Sequence, residues 1–468
     1  MEQSEQWVEH AAVYHPRNPQ ESPLWNLLKN HYEDFERHYE QRFEKEYGFF
    51  RPVISDVVHD YLKCGDLKNG FARVHCPECH HEFLLAFSCR GRWFCPSCHD
   101  KKVIQFGEHL RHEILYPVPH RQYVFTIPKI LRIYFKYDRK LLGKLCQCAN
   151  VSLLAFLQTV TGIKDGVLGA VMTIHTFGDY SRTWHPHLHA MVADGLFYGN
   201  GLFYVMPKKA NPQALAEIFR ANVLKMLKKE GKIDDTLIKN IMGWRHTSGF
   251  SVHNGVRIAR DDEDGKEGLA QYIIRNPFSE KKLTYKAETS MVIYKSKMTH
   301  GKNKRNFLVM NVEEFIAAIS QHIPEKSFQM TRYYGFYSNR ARGERRKKDE
   351  QEDDLDTTAT PEKFEVIDVS SYKPRRIPSK TWRDCIKKIW EVDPLECPKC
   401  HAEMKIISFI SKSQPEVIRK ILEHLGLLEE KIRPPPNPPP ESSLEETNTD
   451  EPFDDGWPGY DEPFITVS

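Results

Sequence analysis

The sequence lacks any run of about 18 consecutive apolar residues, so no segment offers itself as a membrane-spanning helix. An export signal is also missing: Met1, Glu2, Gln3, Ser4 and Glu5 open the chain with acid and amide groups where a basic and then apolar stretch would stand. The expectation is a chain kept where thiols stay reduced, whose 11 cysteines need an explanation other than disulfides. No G-x-x-x-x-G-K-[ST] loop occurs, and nothing points to chemistry driven by a nucleoside triphosphate. Beyond Arg433 there is no lysine or arginine, against nine aspartates and glutamates. The whole chain carries +3, so the part up to Arg433 carries +12. A basic body with an acidic tail suits a polyanion such as nucleic acid, although an ordinary solvated surface accounts for the charge equally well.

What is present suffices for about three folded units in 468 residues, with 40% hydrophobic and 12% aromatic residues to build their cores. Residues 1–21 are expected to be flexible. Ser22 and Pro23 then open a helix whose apolar face is Leu28, Tyr32, Phe35, Tyr39, Phe43 and Tyr47, and Gly48 ends it. A second helix runs from Pro52 through Val57, Val58, Tyr61 and Leu62 to Gly65. A cysteine-rich stretch and a basic helical segment, Lys101 to Tyr116, complete a unit over 22–116. From 117 to 340 the β-rich runs Gln122 to Ile127, Val167 to Phe177 and His187 to Ala193 alternate with helical patterns at 139–160 and 212–230. That mixture predicts an α+β layer domain, a sheet covered by helices. Residues 341–374 swing from basic to acidic and read as a linker, 375–432 as a small module, and 433–468 as a Pro-rich acidic disordered tail.

Cys76-Pro-Glu-Cys79 and Cys95-Pro-Ser-Cys98 are separated by fifteen residues, a spacing suited to one structural zinc held by two knuckles. Cys64, Cys89 and His99 are alternative ligands. Each knuckle is followed by histidine, as is Cys397-Pro-Lys-Cys400-His401, and all three match the c-type haem attachment pattern; the missing export signal argues against haem. The third knuckle has no second pair downstream, so a metal there needs Cys385, a histidine or another chain, and packed reduced thiols explain it as well. Cys146 and Cys148 lie in a helical pattern without a metal signal.

His185-Pro-His187-Leu-His189 enters an apolar strand, and alternation puts His187 and His189 on one face. His175 lies on the preceding strand, and Gly178 to Arg182 can turn the chain back antiparallel and bring it beside the pair. A lone histidine is most often an ordinary core or surface residue; this density favours a ligand cluster with open coordination positions, the catalytic kind of site.

The H-hydrophobic-H strand resembles the motif of HUH endonucleases, which cleave single-stranded DNA with a tyrosine. Taken with Cys64-Gly, Gly70-Phe-Ala-Arg-Val, the knuckles, His175-Thr-Phe-Gly, Ser248-Gly-Phe-Ser-Val-His-Asn, Leu269-Ala-Gln-Tyr272-Ile-Ile-Arg, Gln321-His-Ile-Pro, Arg332-Tyr-Tyr-Gly and Asp393-Pro-Leu, it resembles the rolling-circle insertion-sequence transposases, including those of common-region elements. The resemblance implies a central antiparallel sheet flanked by helices and a bacterial, nucleoid-associated DNA strand transferase. It implies Tyr272 as nucleophile and His187 and His189 as ligands of a magnesium or manganese ion, with His175 and then His185 as candidates for a third ligand. It further implies single-stranded DNA at element ends and target DNA as partners, and is compatible with a homo-oligomer. On spacing alone, Leu269, Tyr272, Ile273 and Asn276 describe a helix with a packed tyrosine as readily as a nucleophile. Two-tyrosine members carry a second tyrosine four residues away. Gly268 and Asn276 stand there in this chain, which therefore resembles the single-tyrosine branch.

Between Lys281 and Arg305, Lys281, Lys282, Lys286, Lys295, Lys297, Lys302, Lys304 and Arg305 are interleaved with Tyr285, Tyr294 and His300, a mixture that follows a phosphate backbone and stacks bases. Arg332, Tyr333, Tyr334, Tyr337 and Arg340 repeat it, and a solvated surface is an equal account of both. End recognition is expected of the zinc domain with Lys101, Lys102 and Arg111. Three rival functions share parts of this pattern: a relaxase or rolling-circle replication initiator, a noncatalytic zinc-dependent DNA-binding protein, and a metal hydrolase.

Overall fold

The computed structural model describes residues 18–91, 93–199, 201–207, 211–244, 249–296, 306–348, 365–375, 381–390 and 392–428. The expected acidic tail lies outside them, as do Lys297, His300, Lys302, Lys304 and Arg305.

A wholly antiparallel sheet forms the centre. Its order is Thr331–Gly335, Gly169–Phe177, Trp184–Ala193, His120–Thr126, Ser251–His253, with Arg257–Ile258 also paired to the His120 strand. Helices cover both faces. On one face Phe125, Ile174 and Leu188 pack against the helices Lys140–Thr161 and Pro212–Lys229 through Leu145, Leu153, Phe219 and Val223. On the other, Val171, Met191 and Ala193 meet Leu269, Ala270 and Ile273 of the helix Glu263–Ile273 and Phe106 of the helix Pro96–His109. The expected α+β class with a helix-flanked antiparallel sheet is therefore the observed one. Lys140–Thr161 is, among the described residues, the single helix long and apolar enough to cross a membrane; its apolarity is accounted for by burial against the sheet.

The amino-terminal helices form as their sequence dictates. The Ser22 hydroxyl accepts from the Trp25 amide at 3.2 Å, capping Pro23–Arg42, and Gly48, at φ 86°, supplies the left-handed turn that ends the following short helix. Their aromatic face, Tyr32, Phe35, Tyr39 and Phe43, does not build a separate unit. It packs on the helix Val312–Ser320 and the three-stranded sheet of Leu283–Lys286, Met291–Lys295 and Phe307–Asn311, so residues 280–323 share a core with the amino-terminal unit and not with the central sheet.

Three further expectations are corrected. The segment 341–374 is not linker throughout: Asn339–Lys348 is helical, and Val366–Asp368 pairs antiparallel with Leu202–Val205, extending a small sheet. Lys405–Ser411 pairs with Gly70–His75, so the carboxy-terminal module is built into the amino-terminal zinc region. Within 1–21, Pro19–Glu21 forms a 3-10 turn capped by Asn18.

Two fully buried histidines tie remote segments together. His120 meets the Tyr337 hydroxyl at 2.8 Å, and His322 meets the Ser181 carbonyl at 2.8 Å and the Thr176 hydroxyl at 3.0 Å. Burial pushes each imidazole down to about 3, so both are neutral in the folded chain and titrate near 6.5 once unfolded. Below about 6.5 the unfolded chain takes up protons that the folded one refuses, so stability falls with pH. By about pH 5 the loss is about 2 kcal/mol per histidine. The thermal midpoint is expected to drop between about pH 7.5 and pH 5, before most carboxylates titrate; an unchanged midpoint refutes it.

Candidate active site and metal centres

His175 lies directly opposite His187 in the antiparallel register, and Thr173 opposite His189. Alternation then sends all three imidazoles to one face, where their ligand atoms lie within 4.8 Å of one another, all buried. His185 is separated from them by a bulge. The register slips between His175 and Phe177, leaving one extra residue on the strand that carries His185 and Pro186. A proline, which donates nothing to the ladder, sits at such an irregularity at no cost. His185 stacks beside His187 at 4.8 Å and stays outside the cluster.

Hydrogen bonds decide which nitrogens face the centre. The Ile273 carbonyl can only accept, so His175 donates to it through Nε2–H at 2.8 Å and its Nδ1 is a buried lone pair without a partner. His187 donates Nδ1–H to the His185 carbonyl at 2.8 Å, which leaves Nε2 as a lone pair. His189 Nε2 faces that atom at 3.1 Å, while its Nδ1 lies 3.1 Å from the Gln122 amide. Burial holds all three imidazoles neutral; it lowers His187 to about 4 and holds His175 and His189 well below the ordinary imidazole value. Three neutral nitrogens, one orphaned, are a donor set that fits a divalent cation with open positions for oxygen ligands.

Tyr272 is on the helix laid across this face. Asp262 caps that helix, accepting from the Gly265 amide at 2.8 Å. The half-buried Tyr272 ring sits edge-on to His189, centroids 5.5 Å apart, and the Arg275 guanidinium lies 4.7 Å over the same ring. The Arg275 Nε and both polar atoms of the Asn276 side chain are buried without partners, so this end of the helix carries unmatched hydrogen-bonding capacity. Gly107 lets the Pro96–His109 helix approach closely: a Cβ there would meet the Gln271 side chain at 3.0 Å.

The cysteines group differently from the expected single site. Cys95 and Cys98 join Cys64 and Cys89, and Cys76 and Cys79 lie with Cys397 and Cys400. The strands Gly70–His75 and Glu82–Ala86 flank the Cys76–Cys79 knuckle and pair as a hairpin, which carries that knuckle at its tip, away from Cys64 and Cys89 beyond its other end. Hydrogen bonds from Cys64, then Cys89 and Cys95, pull the Cys98 thiol down toward the thiolate that a zinc ion requires. His99 is no ligand. Its Nδ1 accepts from the Trp93 amide at 3.1 Å, so its Nε2–H donates to the Ile274 carbonyl at 2.5 Å.

The basic candidates fare unevenly. Lys286 and Lys295 are exposed on the small sheet and Lys281 and Lys282 on the 3-10 turn before it, but Tyr294 is buried, accepting from the Ser279 amide, and Tyr285 is held by His31 at 2.9 Å. Tyr337 is core. Arg332 lies over Phe328 and against Gly143, on the face away from the histidines, and Arg340 pairs with Glu344. Arg111 is engaged by Glu263 and Glu267 of the tyrosine helix. A groove of about 510 Å³ that composition did not reveal is lined by Phe49, Lys136, Tyr137, Lys140 and Lys326. Phe49 is 71% and Tyr137 52% exposed, large apolar rings left in water beside ammonium groups. Arg132, one turn from Lys136 on the same helix, is close enough to act on the charge of His185 and His187.

The model of a family described as "Putative transposase" matches residues 169–345, which carry the three histidines and Tyr272, and that of a "Transposase zinc-binding domain" matches residues 28–127. The transposase for insertion sequence element IS801 of Pseudomonas savastanoi pv. phaseolicola is 25% identical over 377 residues, covering 78% of this chain and 86% of that protein. The putative transposase y4qJ of Sinorhizobium fredii is 25% identical over 383 residues, 79% of this chain and 92% of the relative. Along most of its length the chain resembles these transposases. No solved structure matches it. Its zinc-binding domain accommodates structural zinc, with Cys64, Cys89, Cys95 and Cys98 as the set lying wholly inside the matched span.

For the transposase, manganese titrated calorimetrically into protein stripped of metal at its histidine site is expected to bind. Replacing His187 and His189 together by alanine weakens that binding about 100-fold or more, and His185→Ala leaves it within about threefold. Equal losses in both variants would place His185 among the ligands after all.

Proposed function

We propose that this transposase cleaves and rejoins single-stranded DNA at the ends of an insertion sequence, through a 5′-phosphotyrosine on Tyr272, and so drives rolling-circle transposition in the bacterial cytoplasm. The observation that carries this reading is the packing of the Tyr272 ring against His189, inside a cluster of three neutral imidazoles. The phenol oxygen attacks a backbone phosphorus, the bond to the 3′ oxygen breaks, and the 3′ oxygen gains a proton to match the one the phenol loses. Attack by a 3′ hydroxyl on the phosphotyrosine reverses the step, so the bond is conserved without a nucleoside triphosphate. A phenol that titrates near 10 is a weak nucleophile, and a divalent cation on His175, His187 and His189 would polarise the phosphate. An all-imidazole set suits manganese better than magnesium.

The chain's own residues do the rest. His175 and His99 hold the end of the tyrosine helix through the Ile273 and Ile274 carbonyls, which fixes the ring over the cluster. Arg275 brings a cation to the place where a phosphate must sit. The single strand reaches it along Lys136 and Arg132 from the groove at Phe49 and Tyr137, where exposed rings stack bases. Lys281, Lys282, Lys286 and Lys295 add phosphate contacts at the edge. A relaxase or replication initiator would use the same chemistry, and the match to transposase domains at both the zinc-binding and the catalytic segments favours transposition.

Incubating the protein with a single-stranded oligonucleotide and manganese is expected to yield a covalent adduct resistant to denaturing gels. Tyr272→Phe lowers its yield on the order of 10³-fold or more while binding persists, and an undiminished adduct removes Tyr272 from the reaction. In the groove, Phe49→Ala combined with Tyr137→Ala weakens single-strand affinity about tenfold or more, read by fluorescence anisotropy. Unaltered affinity would send the strand elsewhere.

A further inference from the structure

The cysteine set Cys76, Cys79, Cys397 and Cys400 joins segments 324 residues apart, and its last two members lie beyond either matched transposase segment. Its two halves have the same backbone. Cys76 N–H donates to the His81 carbonyl at 2.8 Å and His80 N–H to the Cys76 carbonyl at 3.0 Å; Cys397 N–H donates to the Ala402 carbonyl and His401 N–H to the Cys397 carbonyl, both at 2.9 Å. His80 and His401 each adopt φ 58°. Two knuckles of one conformation thus face each other across the ladder of Gly70–His75 with Lys405–Ser411, in which His75 pairs with Lys405.

The sulfurs cross-pair. Cys76 Sγ lies 3.5 Å from Cys400 Sγ, and Cys79 Sγ 3.5 Å from Cys397 Sγ. That is far beyond a disulfide bond and close to the roughly 3.8 Å edge of a sulfur tetrahedron around zinc. The neighbouring imidazoles turn elsewhere: His401 meets Glu396 at 2.9 Å, and His80 lies against His75. The packing around the cysteines is thin, since Val74 and Met404 are the other buried members of the cluster, while Phe409 is 69% exposed on the adjoining strand. So small a core does not hold a segment in place unaided.

We propose that Cys76, Cys79, Cys397 and Cys400 bind a second structural zinc ion, distinct from the ion of Cys64, Cys89, Cys95 and Cys98, which fastens the carboxy-terminal segment onto the amino-terminal zinc domain. The clasp reaches the active site through charge. Arg383 is held by Asp393 at 2.7 Å and by Glu403 at 2.6 Å, on either side of the Cys397 knuckle, and Lys387 by Asp393 at 2.6 Å. Next in the same helix, Lys388 reaches Glu108 at 2.8 Å and Glu267 at 2.5 Å, the latter five residues before Tyr272 on the tyrosine helix. The ion therefore holds in place the helix that braces the nucleophile's own helix.

Metal analysis of the full chain, purified under reducing conditions, tests this directly. The expected content is two zinc ions per chain, falling to one in Cys400→Ser and returning to two in Cys400→His, which restores a ligand at an exposed position. Cobalt substitution checks the site independently of folding yield: tetrathiolate absorption of two equivalents in the parent protein and one in Cys400→Ser. Hydrogen exchange at 405–411 and at 263–273 rises about tenfold or more in the serine variant and is restored in the histidine variant. One zinc ion in the parent chain, two in Cys400→Ser, or iron in place of zinc overturns the proposal.

Discussion

Two carbonyl groups, those of Ile273 and Ile274, are where the functional parts of the molecule meet. They close the last turn of the helix that carries Tyr272, and helix-terminal carbonyls have no partner of their own. His175 of the central sheet donates to one and His99 of the Cys95–Cys98 knuckle helix to the other. Each imidazole is neutral and buried, so each bond lies in a medium where leaving it unmade costs more than making it gains. A structural zinc site and a sheet of imidazoles are thereby referred to the same helix end.

The donation by His175 has a second consequence. Committing Nε2 to the backbone leaves Nδ1 as the buried lone pair, and the same division holds for His187, whose Nδ1 is spent on the His185 carbonyl. Backbone acceptors choose the tautomer, and the tautomer chooses the ligand atom. Main-chain geometry thus sets the orientation of these imidazoles, and Gln122, from the neighbouring strand, adds a side-chain contact to His189.

The charged network on the opposite flank of the tyrosine helix works in the same sense. Glu267 is shared by Arg111 and Lys388, which come from segments about 280 residues apart in the chain. Partly buried pairs of this kind add little net stability, but they specify where a helix sits. Two of the three basic groups that charge counting assigned to DNA contact in the zinc region, Lys101 and Lys102, remain at the surface of the knuckle helix, whereas Arg111 is occupied by Glu263 and Glu267 of the helix that carries Tyr272.

Much of the molecule was legible in its residue order. Local rules account for the capped amino-terminal helix and the glycine at its end. Alternation placed His187 and His189 on one face, and the short turn after Phe177 brought His175 to them. Those are near-neighbour constraints, set by a strand period of two and a hairpin of a few residues. What only the tertiary structure decided depends on contacts between distant segments. Cys76 and Cys79 pair with thiols more than 300 residues away because a strand ladder separates them from the next knuckle. Tyr294 and Tyr337 are core residues because other elements cover them, whereas Phe49 and Tyr137, packed edge-on to each other, keep most of their surface exposed among the described residues. Spacing along a chain encodes local geometry, but which face a remote segment covers is settled by the packing of the whole.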